Sequence, residues 1–194
     1  MSSANYPYVG IDQSYSGFAL VIYCHPSEIY VPKSRKWEAK RYTSQSDRLA
    51  HIYQDLQLLL SEVYCAHGGI SLIAMEGYAH GAKFQREALG ELGGIVKLTI
   101  SEIAGQRPWR HPLIISPPTL KKFTTGKGTA TKQEMMDAVR KRWGASVYDD
   151  NLADAYALAR AAAVWHTGQG TEEQLNALQH MKPQSTNGPL GKTA

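Results

Sequence analysis

The chain has 194 residues, 43% of them hydrophobic, a formal charge of +4 and only two cysteines, Cys24 and Cys65. That length suits one well-buried domain, and no stretch approaches the roughly 20 apolar residues that cross a bilayer. The opening MSSANYPYVG lacks the basic-then-apolar pattern of a signal peptide. Two cysteines make neither a disulfide framework nor a four-cysteine zinc site, so reduced core thiols and a cytoplasmic setting are expected.

In chain order, residues 6–12 and 17–23 read as apolar strands joined by the turn Asp12-Gln13-Ser14-Tyr15-Ser16-Gly17. The segment 28–43 offers a third strand, with Pro32 near an irregular middle and Trp37 and Tyr42 set among cations. Leu49, Ile52, Tyr53, Leu56, Leu59, Leu60 and Val63 recur at helical spacing, with Ser46 or Asp47 as N-cap and His67-Gly68-Gly69 as the stop. Residues 70–75 form a short apolar run expected of a buried strand. A helix follows over about 84–104, where Gly90, Gly93 and Gly94 lower the propensity and offer room for another backbone.

Leu113-Ile114-Ile115 is a short strand closed by Ser116-Pro117-Pro118. Then come a loop holding Gly126 and Gly128, a helix near 131–143 and a final helix near 150–166. The order defines an α/β domain over 1–167, an antiparallel meander followed by parallel strands with helices between. Residues 168–194 read as a polar tail, disordered from 182 onward.

Charge is unevenly spread. Residues 33–48 hold six Lys/Arg against two acids, and residues 105–143 hold nine against two, so the remainder is strongly acidic. Basic flanks around an acidic centre suit a phosphodiester, although solvated surface patches would look the same. Within the acidic remainder, Asp12 follows an apolar strand, Glu76 ends the run Ile70-Ser71-Leu72-Ile73-Ala74-Met75, and Asp150, Asn151 and Asp154 open an Ala-rich helix. A carboxylate beside a core must be paired or bind metal. In sheets of this kind ligands gather at strand ends, where Asp12 and Glu76 both fall. Asp150 and Asp154, or Asn151 and Asp154, can share a helical face. Turn chemistry at Asp12 and N-capping at Asp149 or Asp150 are the plainer alternatives.

Four blocks carry a resemblance. Gly10-Ile11-Asp12-x4-Gly17, Ala74-Met75-Glu76, Thr125-Gly126-Lys127-Gly128-Thr129-Ala130-Thr131-Lys132 and Asn151-x2-Asp154-Ala155-x-Ala157-Leu158-Ala159 together resemble the signature blocks of RuvC-type Holliday-junction resolvases. Those enzymes belong to the RNase H-like superfamily, and the blocks stand in the family's order over about 6–166. The segments around Glu76-Gly77-Tyr78 and Leu89 to Gly94 look most like phage-encoded members.

The resemblance implies an RNase H-like mixed five-stranded sheet, an antiparallel meander plus parallel strands, flanked by helices. It also implies a homodimeric endonuclease that nicks two opposed strands of a four-way DNA junction. Two Mg2+ ions, or Mn2+, would be held by Asp12, Glu76 and Asp154, with Asp150 or Asn151 as fourth ligand, since the family's fourth acid falls on Asn151. Hard oxygen donors suit such ions, and a two-ion site suits phosphodiester hydrolysis. Lys121 and Lys132 match basic positions near the scissile phosphate.

Gly126-Lys127-Gly128-Thr129 is not a phosphate-binding P-loop, which needs a Gly four positions ahead of its Gly-Lys-Ser/Thr. Lys121, Lys122, Lys127 and Lys132 around flexible glycines suit a nucleic-acid backbone instead. Tyr78, Lys83 and Arg86 place an aromatic beside cations after Glu76, as a stacking platform needs. The 84–104 helix is the candidate dimer face. Two other readings remain: a broader flap or fork nuclease, and a junction-binding protein with weak cleavage. An actin-like ATPase would need two subdomains.

Overall fold

The structure, a computed structural model, describes residues 6–77, 86–105, 107 and 110–181. Five apolar runs become strands: Tyr8–Asp12 (β1), Phe18–Cys24 (β2), Ile29–Arg35 (β3), Leu72–Glu76 (β4) and Leu113–Ile115 (β5). They lie in the order β3-β2-β1-β4-β5. The first three form an antiparallel meander, while β4 and β5 run parallel to β1. The expected α/β sheet is present.

Helices α1 (Gln45–His67) and α2 (Arg86–Ala104) cover one face. There Val9, Ile11, Leu20 and Ile73 meet Ile52, Leu56 and Leu60 of α1 and Leu92, Val96 and Ile100 of α2. Helix α5 (Asp150–Thr167) covers the other face, joined by α3 (Pro117–Thr125), α4 (Lys132–Trp143) and α6 (Glu172–Leu178). Its Ala155, Leu158 and Ala159 lie over Gly10 of β1, in one buried cluster with Tyr8, Ala19, Val21 and Ala74. Burial of each large apolar side chain contributes about 1.5–3 kcal/mol.

The alanine face lets α5 come unusually close. Alternation along β1 turns Tyr8, Gly10 and Asp12 to the same face. At Gly10 a Cβ would overlap the carbonyl oxygen of Ala155 and the amide nitrogen of Ala159. Helix backbone therefore rests directly on strand backbone.

Four sequence expectations need correction. Helix α1 begins two or three residues early, with Ser44 as N-cap accepting from Asp47 N, because Asp47 instead accepts from Thr43 N at 3.0 Å. Residues 117–125 are helical rather than loop: Ser116 caps them and proline sits at the first helical position, where its missing N–H costs nothing. Residues 172–178 form α6 rather than unstructured tail, started by a Thr171/Gln174 capping box and anchored by buried Leu178. Of the free thiols, Cys24 is half-buried and Cys65 is exposed, so Cys65 is no core group.

Trp37 also departs from a surface role. It is buried against Phe18, with ring centroids 4.8 Å apart, and its indole N–H donates to Asp55 at 3.0 Å. A Cβ at Gly90 or Gly94 would meet nothing within 4 Å, so these glycines bring no backbone close among the described residues. The expected tail 182–194 lies outside the described residues.

Gly10→Ala forces α5 off β1. It is expected to lower the unfolding free energy by about 1–3 kcal/mol, as overpacking of a tight core does, read from the urea midpoint.

Candidate active site

Parallel pairing of β1 with β4 sets Ile11 beside Met75, so the next residues, Asp12 and Glu76, end their strands side by side. Asp12 pairs across β2 with Ala19, which packs on α5, so both carboxylates leave the sheet on the α5 side. Asp149 caps α5, its carboxylate accepting from Leu152 N at 2.7 Å. The first turns of α5 then deliver Asp150 and Asp154 to the same end of the sheet.

These acids feel one another. Asp12, only 6% exposed, is pushed well above the usual carboxylate range by burial, then by the charges of Glu76, Asp154 and Asp150. Burial also raises Glu76, while a hydrogen bond from Asp12 and the cations Lys121 and Lys132 pull it back. Asp154 is pushed up to about 7 by burial first, then by Glu76 and Asp150. Asp150 goes the other way, lowered chiefly by its ion pair with Lys132. That pair in turn raises Lys132, which also sits in the fields of Asp154 and Asp12.

Six sequence-predicted residues are thus brought together: Asp12, Glu76, Asp150, Asp154, Lys132 and Lys121. The Asn151 side chain lies against Gly17, where a Cβ would collide with the amide. Lys122 is exposed on α3. Lys127 lies 3.9 Å from Glu134, the residue that completes the Thr131 capping box of α4. One Glu134 oxygen accepts from Thr131 N at 2.7 Å while the other faces Lys127. Tyr78, Lys83 and the Arg86 side chain lie outside the described residues.

Sequence reasoning missed Gln13. It is 8% exposed, and its side-chain N–H donates to the Glu76 carbonyl at 3.1 Å, tying the ends of β1 and β4 together. Its carbonyl oxygen is buried and has no hydrogen-bond partner among the described residues. A polar side chain directly after a strand-end carboxylate was the available signal. Beyond it, Tyr15 fastens the turn to both helices of the opposite face: its hydroxyl donates to Ala88 O at 3.0 Å and accepts from Gln45, and Arg48 lies over its ring.

Among the described residues no group of three or more Asp, Glu, His or Cys side chains is arranged to hold a metal ion as it stands. Asp150 is turned to Lys132 and Asp12 to Glu76. The donor chemistry nevertheless fits a hard divalent cation. Four carboxylates share one end of the sheet, three of them held away from ionisation, and a buried carbonyl oxygen beside them lacks a donor. Such a cluster is short of positive charge, and Asp150 would join it by leaving Lys132.

No protein-family model matches the chain, and no curated protein sequence does. Solved structures do. The chain superposes on Thermus thermophilus RuvC with a TM-score of 0.63 at 18% identity, over 90% of this chain and 98% of that one. Against T. thermophilus RuvC in complex with a Holliday junction substrate the TM-score is 0.66 at 19% identity, over 91% and 99%. The chain therefore shares the fold of these RuvC structures, the fold that the four sequence blocks suggested. No helix among the described residues is long and apolar enough to cross a membrane.

The raised carboxyls set a pH dependence. Between about pH 4 and 7 the folded chain holds protons on Asp154 that the unfolded chain has released, so this residue's contribution to stability falls as pH rises. Asp150 acts oppositely, its contribution being lost only in acid, below about pH 4. Asp154→Asn is therefore expected to stabilise the protein by about 1–3 kcal/mol at pH 8. The gain should vanish near pH 4, as followed by thermal melts across pH.

Proposed function

We propose that the chain is a metal-dependent, structure-selective endonuclease that resolves four-way DNA junctions by paired nicks. The observation that carries this reading is the mutually destabilised group Asp12, Glu76 and Asp154, bordered by Lys132 and Lys121, on a RuvC fold. Mg2+ or Mn2+, two ions per site, would supply Lewis-acid stabilisation and a reactive water at neutral pH. Asp12, Glu76 and Asp154 would hold them, with Asp150, whose charge Asp12 and Asp154 both feel, as fourth donor in preference to Asn151.

The chain's own groups do the rest. Lys132, kept cationic by its acidic neighbours, exchanges Asp150 for a phosphate oxygen and offsets charge as it develops. Lys121 supports it from α3. Gln13 keeps the Asp12 and Glu76 strand ends at fixed separation. Lys127 and Lys122 meet the sugar-phosphate backbone beyond the site, which positions the DNA without reading its sequence.

Two nicks on opposed strands need two sites. The outer face of α2 supplies a surface for a second copy: Gly90 and Gly94 are open to close approach, and Leu98, one turn on, is 48% exposed. Helices meet closely over such small residues. In sedimentation velocity the wild type is expected to run as a dimer, and the double change Gly90→Leu with Gly94→Leu is expected to leave a folded monomer.

Activity is tested on a synthetic four-way junction, its linear duplex and a flap, with Mg2+ and with EDTA. Symmetric nicks confined to the junction are expected. Equal cutting of the flap would mean a broader branched-DNA nuclease, and binding without cutting in Mg2+ or Mn2+ would mean a binding protein. Asp12→Asn and Asp154→Asn are each expected to slow cutting about 1,000-fold or more, the scale of losing a central electrostatic contributor, while junction binding in EDTA persists. Asp150→Asn should slow cutting far more than Asn151→Ala.

A further inference from the structure

The segment between α4 and α5 holds one large side chain that packing does not explain. Tyr148 is 70% exposed and lies immediately before Asp149, the N-cap of α5. An apolar residue at that position ordinarily folds back on the first helical turn as a hydrophobic staple. Here Val147, 5% exposed, fills the interior instead, and the phenol ring points away from it.

The backbone that presents the ring is fixed. Arg140 donates twice to the Val147 carbonyl, at 3.2 and 2.8 Å. Ser146 N donates to the Tyr30 hydroxyl at 2.7 Å, and Asp149 is tied to Leu152 N. Ala145 is buried as well. A mobile surface loop would need none of these attachments. Two residues further on, Asp150 enters the acidic site, no more than about 7 Å of chain away.

We infer that Tyr148 is a substrate-contacting residue that stacks on a nucleobase of the strand whose phosphate enters the acidic site. This rests on the nuclease reading above. A phosphate at Asp12 and Asp154 places its own nucleotides within reach of a ring anchored two residues from Asp150. At a branch point, bases lose a stacking neighbour, and an aromatic face replaces it whatever the base. A ring carried on fixed backbone spares the loop-ordering cost of binding, which is why the anchoring matters.

The test uses full-length protein and a four-way junction carrying 2-aminopurine at each position flanking the mapped cut, with Ca2+ in place of Mg2+ for binding. Tyr148→Ala should weaken junction affinity, and raise KM, by about 5- to 100-fold. It should leave kcat within about threefold and abolish the fluorescence change at one flanking position. Tyr148→Phe should stay within about twofold, since the ring and not the hydroxyl carries the contact. Unchanged circular dichroism and melting temperature in Tyr148→Ala are expected from its exposure. Wild-type binding and fluorescence in Tyr148→Ala would overturn the inference, as would equal losses in Tyr148→Phe. A wild type that neither binds nor cuts the junction would instead overturn the nuclease reading itself, and with it the role given to Tyr148.

Discussion

The direct approach of α5 to β1 at Gly10 is the constraint on which the site depends. Asp12 sits two residues along the strand from Gly10, and Asp154 sits one residue before Ala155, whose carbonyl oxygen bears on that glycine. A strand and a helix separated by ordinary side chains stand about 10 Å apart. At that spacing the two carboxylates would have water between them, and their mutual field would be screened. With backbone against backbone the carboxylates share a desolvated corner, and the perturbed ionisation of Asp12 and Asp154 follows. Gly17 repeats the device on a smaller scale, leaving room for the Asn151 amide.

The same corner explains why its two lysines are present. Burial and like charge both disfavour ionised acids, so a site of carboxylates alone would stay partly protonated at neutral pH. Lys132 and Lys121 relieve part of that load, unequally. Asp150, the most accessible acid, takes Lys132 as a direct partner and is lowered, while burial raises Asp12, Glu76 and Asp154. The four carboxylates are therefore not equivalent.

Much of this arrangement was legible in the sequence because it is written in hydrophobic runs that end on a charge. The strands of the meander, β4, and the helices α1, α4 and α5 all follow from periodicity and their bounding residues. The acids Asp12, Glu76 and Asp154 were identifiable as apolar runs with an unneeded carboxylate. What was not legible came from short-range chemistry overlooked or from tertiary contacts. The Ser116-Pro117 start of α3 and the Thr171-to-Gln174 box of α6 were present in the sequence but lie in stretches without strong apolar periodicity. The packing of Asn151 on Gly17 depends on how α5 lies over the sheet, and Gln13 bonds a carbonyl 63 residues away. No local pattern encodes either. Lys122 and Lys127 look like Lys121 and Lys132 in sequence, yet helix phase and Glu134 send them elsewhere.

Glu134 joins two parts of the protein that face different tasks. One of its oxygens completes the capping box that starts α4, and so fixes where Lys132 emerges. The other lies loosely opposite Lys127 at the tip of the glycine loop. Because the two attachments use separate oxygens, they can be broken separately. Losing the Lys127 side-chain contact would therefore leave the helix start in register. The loop backbone is held apart from that contact, by the Thr125 hydroxyl and by Ala130 N on Lys127, so only the Lys127 side chain is released and Lys132 keeps its aim.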